Sequence, residues 1–163
     1  QENLNLIHGY EIKSHRIFGN FIYGKFIDSV IIGLIALVGF GLMGLPFFPL
    51  LAFVVFITNM IPYFGPFIGG VPVVFIVLLT NGIMPAIWTA LFIFALQQFD
   101  GLILGPRILG DSVGISPFWI ICSITIFGSL FGFLGMFLGV PLICVIRMFF
   151  NDFLEYRKNR IKD

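Results

Sequence analysis

Residues 57–70 read ITNMIPYFGPFIGG: apolar helix-forming residues give way to Asn59, Pro62, Gly65 and Pro66, then resume. Proline lacks a backbone donor and clashes with the preceding turn, and glycine readily takes the left-handed geometry that ends helices. The stretch therefore predicts two helices interrupted by a tight turn inside an apolar region. Downstream the pattern recurs at a shift of 70 residues, where FGPFIG at 64–69 becomes LGMFLG at 134–139. Gly65, Phe67 and Gly69 align with Gly135, Phe137 and Gly139. After a slip of one residue Val71-Pro72 aligns with Val140-Pro141, and upstream Gly44 and Phe48 align with Gly114 and Phe118. An internal repeat organises the chain.

The composition says what solvent surrounds that repeat. Of 163 residues, 59% are hydrophobic, 10% are charged and 22 are Phe. Soluble domains carry about 45–50% apolar and about 25% charged residues. With a mean hydropathy of +1.08, a chain of this size cannot hide its apolar surface from water. An integral membrane protein of all-α class follows, because a helix satisfies its own backbone in lipid. The net charge of +1 gives no ground for a nucleic-acid partner.

Residues 1–25 mix charge with apolar residues at helical spacing (Leu6, Ile7, Tyr10, Ser14, Ile17, Phe18, Phe21), which suits an amphipathic segment on the membrane surface. The transmembrane domain is expected over 26–150, with repeats at about 26–80 and 85–150, and a cytoplasmic tail over 151–163. Six apolar segments fill it: 26–43, 47–61, 67–80, 85–104, 117–128 and 134–150. They are separated by Gly44 and Pro46, by Pro62–Pro66, by Asn81, Gly82 and Pro85, by Gly105 and Pro106, and by a glycine-rich stretch from Gly128. Crossing about 30 Å of hydrocarbon takes about 20 helical residues. The first and fourth segments approach that length and the others fall short. Each repeat is thus one long span plus a pair of short helices. The pairs either cross or form re-entrant hairpins, and length favours hairpins. Both counts of crossings are odd, so the two repeats are inverted in topology, the arrangement of many secondary transporters.

All nine Lys and Arg lie in the N-terminal segment, at Arg107, or at and beyond Arg147. By the bias of basic residues toward the cytoplasm, both ends and the loop carrying Arg107 are cytoplasmic. Gln1 is not Met, so the chain is expected to be a fragment or processed product, and its polar start shows no signal peptide. Cys122 and Cys144 lie at equal distances from Phe133 in apolar runs and read as small hydrophobes rather than a disulfide.

Polar groups inside lipid are costly and mark pathway candidates. The first set is Asn59, Pro62, Gly65 and Pro66 at the helix break, where free helix ends can face a central site. The competing reading is a plain turn capped by Asn59. The second set is Gln97, Gln98 and Asp100, where Asp100 can supply charge for Na⁺ or a proton; the alternative is an interfacial carboxylate facing Arg107. Ser129, with Ser123 and Thr125, forms a third set, for which close packing is the simpler account. Asp28, beside Lys25, reads as an interfacial charge, and His8 and His15 as solvated. No nucleophile–base set, phosphate-binding loop or metal-ligand spacing stands out, so neither an enzyme, a cofactor nor a metal is expected.

Four motifs carry a resemblance: Ile61–Gly69, Gln97–Asp100, Gly105–Gly110 with Ser112-Val-Gly114, and Leu130–Met136 with Val140-Pro141. In order and spacing, over roughly residues 20–155, the chain resembles the C-terminal part of the autoinducer-2 exporter family of bacterial membrane transporters. It departs from that family where Glu followed by Gly-Asn is usual, having Asp100-Gly101-Leu102, and at Ser116, where His is common. The resemblance implies a transporter in the bacterial cytoplasmic membrane, homo-oligomeric, moving a small solute or signalling molecule by alternating access. Some members resemble Na⁺(Li⁺)/H⁺ antiporters, so a monovalent cation or proton is the alternative cargo. A non-transporting membrane scaffold subunit is the third reading. The expected site lies between the Asn59–Gly69 break, Gln97/Gln98/Asp100 and the Gly128–Gly135 turn.

Overall fold

The computed structural model describes residues 2–109 and 116–160, with side chains described from Phe18 onward and not for residues 109, 117, 149 and 151–160. The described residues are helical throughout, apart from short turns. α1 runs Glu2–Leu42, α2 Phe48–Asn59, α3 Gly65–Asn81 and α4 Ile83–Phe99. A π-helical turn at Asp100–Leu104 leads into α5, Gly105–Leu109, and α6 covers Pro117–Arg160. Three stretches are long and apolar enough to cross a membrane: Phe18–Leu42, Ile83–Ile108 and Phe118–Met148. The chain is a helical membrane protein.

Most expected breaks exist, but several are tighter than the sequence suggests. α1 does not begin at Phe26; it continues upstream to Glu2 as one helix, since nothing between Glu2 and Leu42 removes a donor or forces a turn. The amphipathic pattern over 2–17 falls on side chains outside the described ones. Gly44 (φ +66°) and Phe47 (φ +56°) turn the chain between α1 and α2. A single residue, Gly82 (φ +89°), separates α3 from α4. Pro66 opens α3 instead of ending a helix, because the first turn has no use for the donor that proline lacks.

The expected stop at Gly105-Pro106 does not occur. The helix passes through that point by widening into the π turn, with Gly105 N–H donating to Asp100 O. A wider turn relieves the clash between a proline ring and the carbonyl behind it. Arg107 accordingly stands exposed on helix α5 and not in a loop.

α6 is two arms. Gly132 has φ +61° and ψ −139°, a backbone conformation open essentially to glycine alone. A Cβ placed on Gly139 would lie 3.0 Å from Ser123 O. Along a straight helix those sixteen residues would span about 24 Å, so the arms fold back side by side. The stretch that looks like one long span is therefore a helical hairpin. The first arm, 117–131, covers only about 22 Å at 1.5 Å per residue.

The chain forms two compact units, Tyr23–Gly110 and Gln1–Ile22 with Asp111–Asp163, and α1 contributes to both. The core of the first is a contiguous cluster from Ile32, Ala36 and Phe40 of α1, Leu51, Ala52 and Val55 of α2, Val73 and Val77 of α3, and Ala86, Ile93 and Leu96 of α4. The i, i+4 spacing puts one face of α1 against the other helices. There Phe40 meets Phe92 edge-on, with ring centroids 5.5 Å apart. In the second unit Phe21 packs on Phe137 at 6.2 Å. Large apolar side chains such as Phe67, Phe75, Leu79, Trp88 and Phe94 face outward, as lipid-facing positions require. Both cysteines are free thiols.

Candidate functional site

The two hairpins are built alike. In the first, α2 and α3 approach so closely that a Cβ on Gly65 would collide with Thr58 O, and one on Gly69 with the Thr58 side chain. In the second, a Cβ on Gly135 would collide with Phe127 O, and Gly139 meets Ser123 O. The glycines that align in sequence thus make the same kind of contact, glycine against the backbone or short side chain of the opposing arm. Small residues are what let helix backbones touch in lipid. Each hairpin also turns on a positive-φ residue, Tyr63 (φ +62°) and Gly132 (φ +61°).

The first hairpin delivers Asn59 to a buried polar cluster. Asn59 ends α2 and is 2% exposed. Its Nδ2 donates to Asp28 Oδ2 at 3.3 Å. Lys25, one turn before Asp28 on α1, donates to the same oxygen. The Lys25 Nζ also lies 3.9 Å from Asp100 Oδ2. Asp100 begins the π turn and is itself buried. Four polar side chains from α1, α2 and the π turn therefore meet away from solvent, with Lys25 between two carboxylates. Every one of them lies in the Tyr23–Gly110 unit.

Some expected residues join this cluster and others do not. Asn59 and Asp100 belong to it. Pro62 and Pro66 shape the turn above it, and Gly65 permits the close approach. Gln97 is half-buried and Gln98 exposed, so of that helical turn only Asp100 points into the interior. Arg107 is exposed, and the near cation of Asp100 is Lys25. Ser129 lies on the first arm of α6, exposed, with its hydroxyl donating to Ile126 O at 2.8 Å. Ser123 and Thr125 likewise bond back to Ile120 O and Ile121 O.

Asp28 is the member of the cluster that sequence reasoning did not single out. It is buried inside the protein: its exposure is 0%, and Lys25 is 6% exposed. Lys25 and Asp28 stand three apart on a helix, a spacing that lets opposite charges pair. Such a pair at the head of an apolar span was the signal available. Once paired, the two can enter a low-dielectric interior that neither could enter alone.

Comparison with known proteins adds the family. Residues 8–155 match the family model described as AI-2E family transporter. The chain is 37% identical over 139 residues to YrrI of Bacillus subtilis (strain 168), provisionally named a transport protein, covering 85% of this chain and 39% of the relative. It is 36% identical over 129 residues to PerM of Escherichia coli (strain K12), provisionally named a permease, covering 78% of this chain and 36% of that one. YhhT of Escherichia coli (strain K12), provisionally named a transport protein, is 35% identical over 124 residues, with 76% and 36% covered. The chain thus spans well under half the length of these curated relatives.

Proposed function

This chain belongs to the AI-2E family of transporters, and from that premise we propose that it moves a small solute across the membrane along a pathway organised by Lys25, Asp28, Asn59 and Asp100. The observation that carries the reading is the burial of three ionisable side chains together within an otherwise apolar helical unit. Inside a membrane protein such groups cost several kcal/mol when unpaired and persist where they serve an ion or solute path. The close-packed hairpin beside them supplies broken helix ends, the feature around which secondary transporters build their sites.

In this reading the two hairpins are re-entrant and the repeats inverted, and transport follows alternating access. Asn59 hydrogen-bonds the solute, with Gln97 at the edge of the path. Asp100 supplies the charge that couples solute movement to an ion. The protein works as a homo-oligomer in the bacterial cytoplasmic membrane with both ends of this chain cytoplasmic. The family description favours a small signalling molecule such as autoinducer-2 as cargo. The paired carboxylates favour a second reading, exchange of Na⁺ or Li⁺ for protons.

The deciding experiment follows internal pH and solute content in everted vesicles carrying the intact protein, for wild type and Asp100→Asn. A Na⁺- or Li⁺-dependent proton flux lost in the variant selects cation exchange. Autoinducer-2 uptake lost in the variant, without cation-dependent flux, selects solute export. Equal activity of wild type and variant in both assays overturns the pathway.

A further inference from the structure

Tyr63 holds a backbone conformation that its side chain disfavours. It is the turn residue of the first hairpin, with φ +62°. Phe64 N–H donates to Pro62 O at 2.7 Å, which closes a three-residue turn around Tyr63. Such a turn with a positive φ at its centre is the rare and strained kind, and for a bulky side chain the left-handed region is an outlier. The second hairpin turns at nearly the same φ, +61°, and does so on Gly132. Glycine is thus the residue that the backbone alone would select at position 63.

No polar or ring contact within the fold offsets that strain. Tyr63 is 51% exposed. Among the described residues its ring pairs with no other ring and its phenol makes no hydrogen bond. Phe47, at the opposite end of α2, supplies the contrast: it too has a positive φ, +56°, and is 69% exposed. The Phe47 ring is wholly apolar, so lipid satisfies it. Tyr63 ends in a hydroxyl that both donates and accepts, and lipid tails satisfy neither. The two also differ in place. Phe47 stands about 18 Å along α2 from Asn59, at 1.5 Å per residue. Tyr63 follows Asn59 by four residues, on the turn that Asn59 ties to Asp28, inside the same Tyr23–Gly110 unit. Strain of this kind persists mainly where a ligand is held.

We infer that Tyr63 is a specificity-determining residue that touches the cargo: its hydroxyl hydrogen-bonds a small polar organic solute at the Asn59 end of the first hairpin, and its ring covers the solute's less polar face. This rests on the transport reading above and adds a residue to the pathway proposed there. The chemistry of the side chain selects the class of solute. A hydroxyl or carbonyl group uses the phenol as donor or acceptor, whereas a bare alkali ion leaves the donor unused. Glycine at this position would keep the turn but offer the solute nothing.

The test uses everted vesicles carrying the intact protein, with autoinducer-2 as the solute. Tyr63→Phe removes the hydroxyl alone and should raise KM about fivefold with kcat unchanged, the loss of one hydrogen bond. Tyr63→Gly removes the ring as well and should raise KM further. The thermal midpoint of purified Tyr63→Gly should stay level or rise, because glycine accepts a positive φ without strain. The same KM in wild type and both variants overturns the inference. A midpoint lowered in Tyr63→Gly overturns it as well, since the ring would then be holding the fold together.

Thiol labelling separates this inference from the transport reading. Tyr63→Cys, in a protein whose other cysteines, Cys122 and Cys144 included, are changed to alanine, is treated with a water-soluble thiol reagent. The thiol should react, and autoinducer-2 at about ten times its KM should slow the reaction about tenfold by mass action. A thiol that does not react, being covered by lipid or by a second copy, overturns the inference. Equal rates with and without the solute overturn it, as does protection by NaCl or LiCl in its place. Labelling needs no turnover, so the two readings fail separately. Protection without uptake overturns transport alone, and uptake without protection overturns this inference alone.

Discussion

Asn59 at the end of α2 donates to Asp28 of α1, Nδ2 to Oδ2 at 3.3 Å, across 31 residues of sequence. The bond ties the apex of the first hairpin to the middle of the Phe18–Leu42 span. It also places the hairpin's polar end against Lys25, which reaches Asp100 on the π turn. Three separate elements are thereby held by one short chain of polar contacts, and disturbing any member is felt by the others.

Removing the ammonium is the harshest perturbation. Lys25→Met leaves Asp28, at 0% exposure, without its cation. Breaking a buried pair from one side costs about 3–5 kcal/mol. The thermal midpoint in detergent should fall steeply, and the double variant Lys25→Met/Asp28→Leu should recover most of it. A double variant no more stable than the single one would show that the pair contributes through packing instead.

Asn59 contributes by its donor, not its bulk. Asn59→Leu keeps the volume and removes the bond to Asp28, at a cost of about 1.5–3 kcal/mol, the worth of a hydrogen bond to a charged group. Asn59→Asp should be worse, since it adds a third carboxylate to the same cavity. Equal melting temperatures for the two variants would contradict this ordering.

The close-contact glycines of the two hairpins should respond alike. Gly65→Ala and Gly135→Ala each drive a methyl group into a carbonyl oxygen of the opposing arm, Thr58 O and Phe127 O. Overpacking of this kind costs about 1–3 kcal/mol. Gly19→Ala, where a Cβ meets nothing within 4 Å, should be neutral or stabilising, because alanine is the better helix former. Denaturant titration of the three variants reads the contrast directly.

Gly132 should tolerate no side chain for a different reason. A Cβ there has open space around it, yet its φ of +61° and ψ of −139° are closed to other residues. Gly132→Ala is expected to lose about 1–3 kcal/mol through backbone strain. Spin labels on the two arms should move apart if the strain is relieved by opening the hairpin. Unchanged label distances and stability would show that the turn has another conformation available.

Asp100→Glu lengthens the side chain by one methylene at a site where the carboxylate stands 3.9 Å from Lys25. The longer acid can close that gap, so transport should persist in Asp100→Glu and fail in Asp100→Asn. Vesicle flux measured on both variants separates a need for charge from a need for shape.

Much of this was legible in the residues. Composition and apolar run length decide that the chain lives in lipid, because no soluble core could hold so many phenylalanines. The glycines and prolines mark most of the places where helices turn, and Gly65 and Gly69 stand 70 residues before Gly135 and Gly139, which make the same kind of contact. Asn59 and Asp100 stand out since each polar group in an apolar run demands a reason. Where the reading went astray, the cause was local and physical. Pro106 is a helix breaker until a π turn widens the helix around it, and Asp28 gives no local sign that Asn59, 31 residues away, donates to it.

The sequence by itself determined the solvent, the helices and the hinge points, for these follow from hydrophobicity and from backbone chemistry that acts over a few residues. Only the tertiary structure decided that Lys25, Asp28, Asn59 and Asp100 share one buried site, and that Asp28 Oδ1 and Ser29 Oγ are left without partners there. Their meeting depends on how closely α2 and α3 pack at Gly65 and on which way a π turn aims one carboxylate. The first is a contact of Gly65 with Thr58 across the turn and the second brings Asp100 to Lys25, far away along the chain, and no local pattern records either.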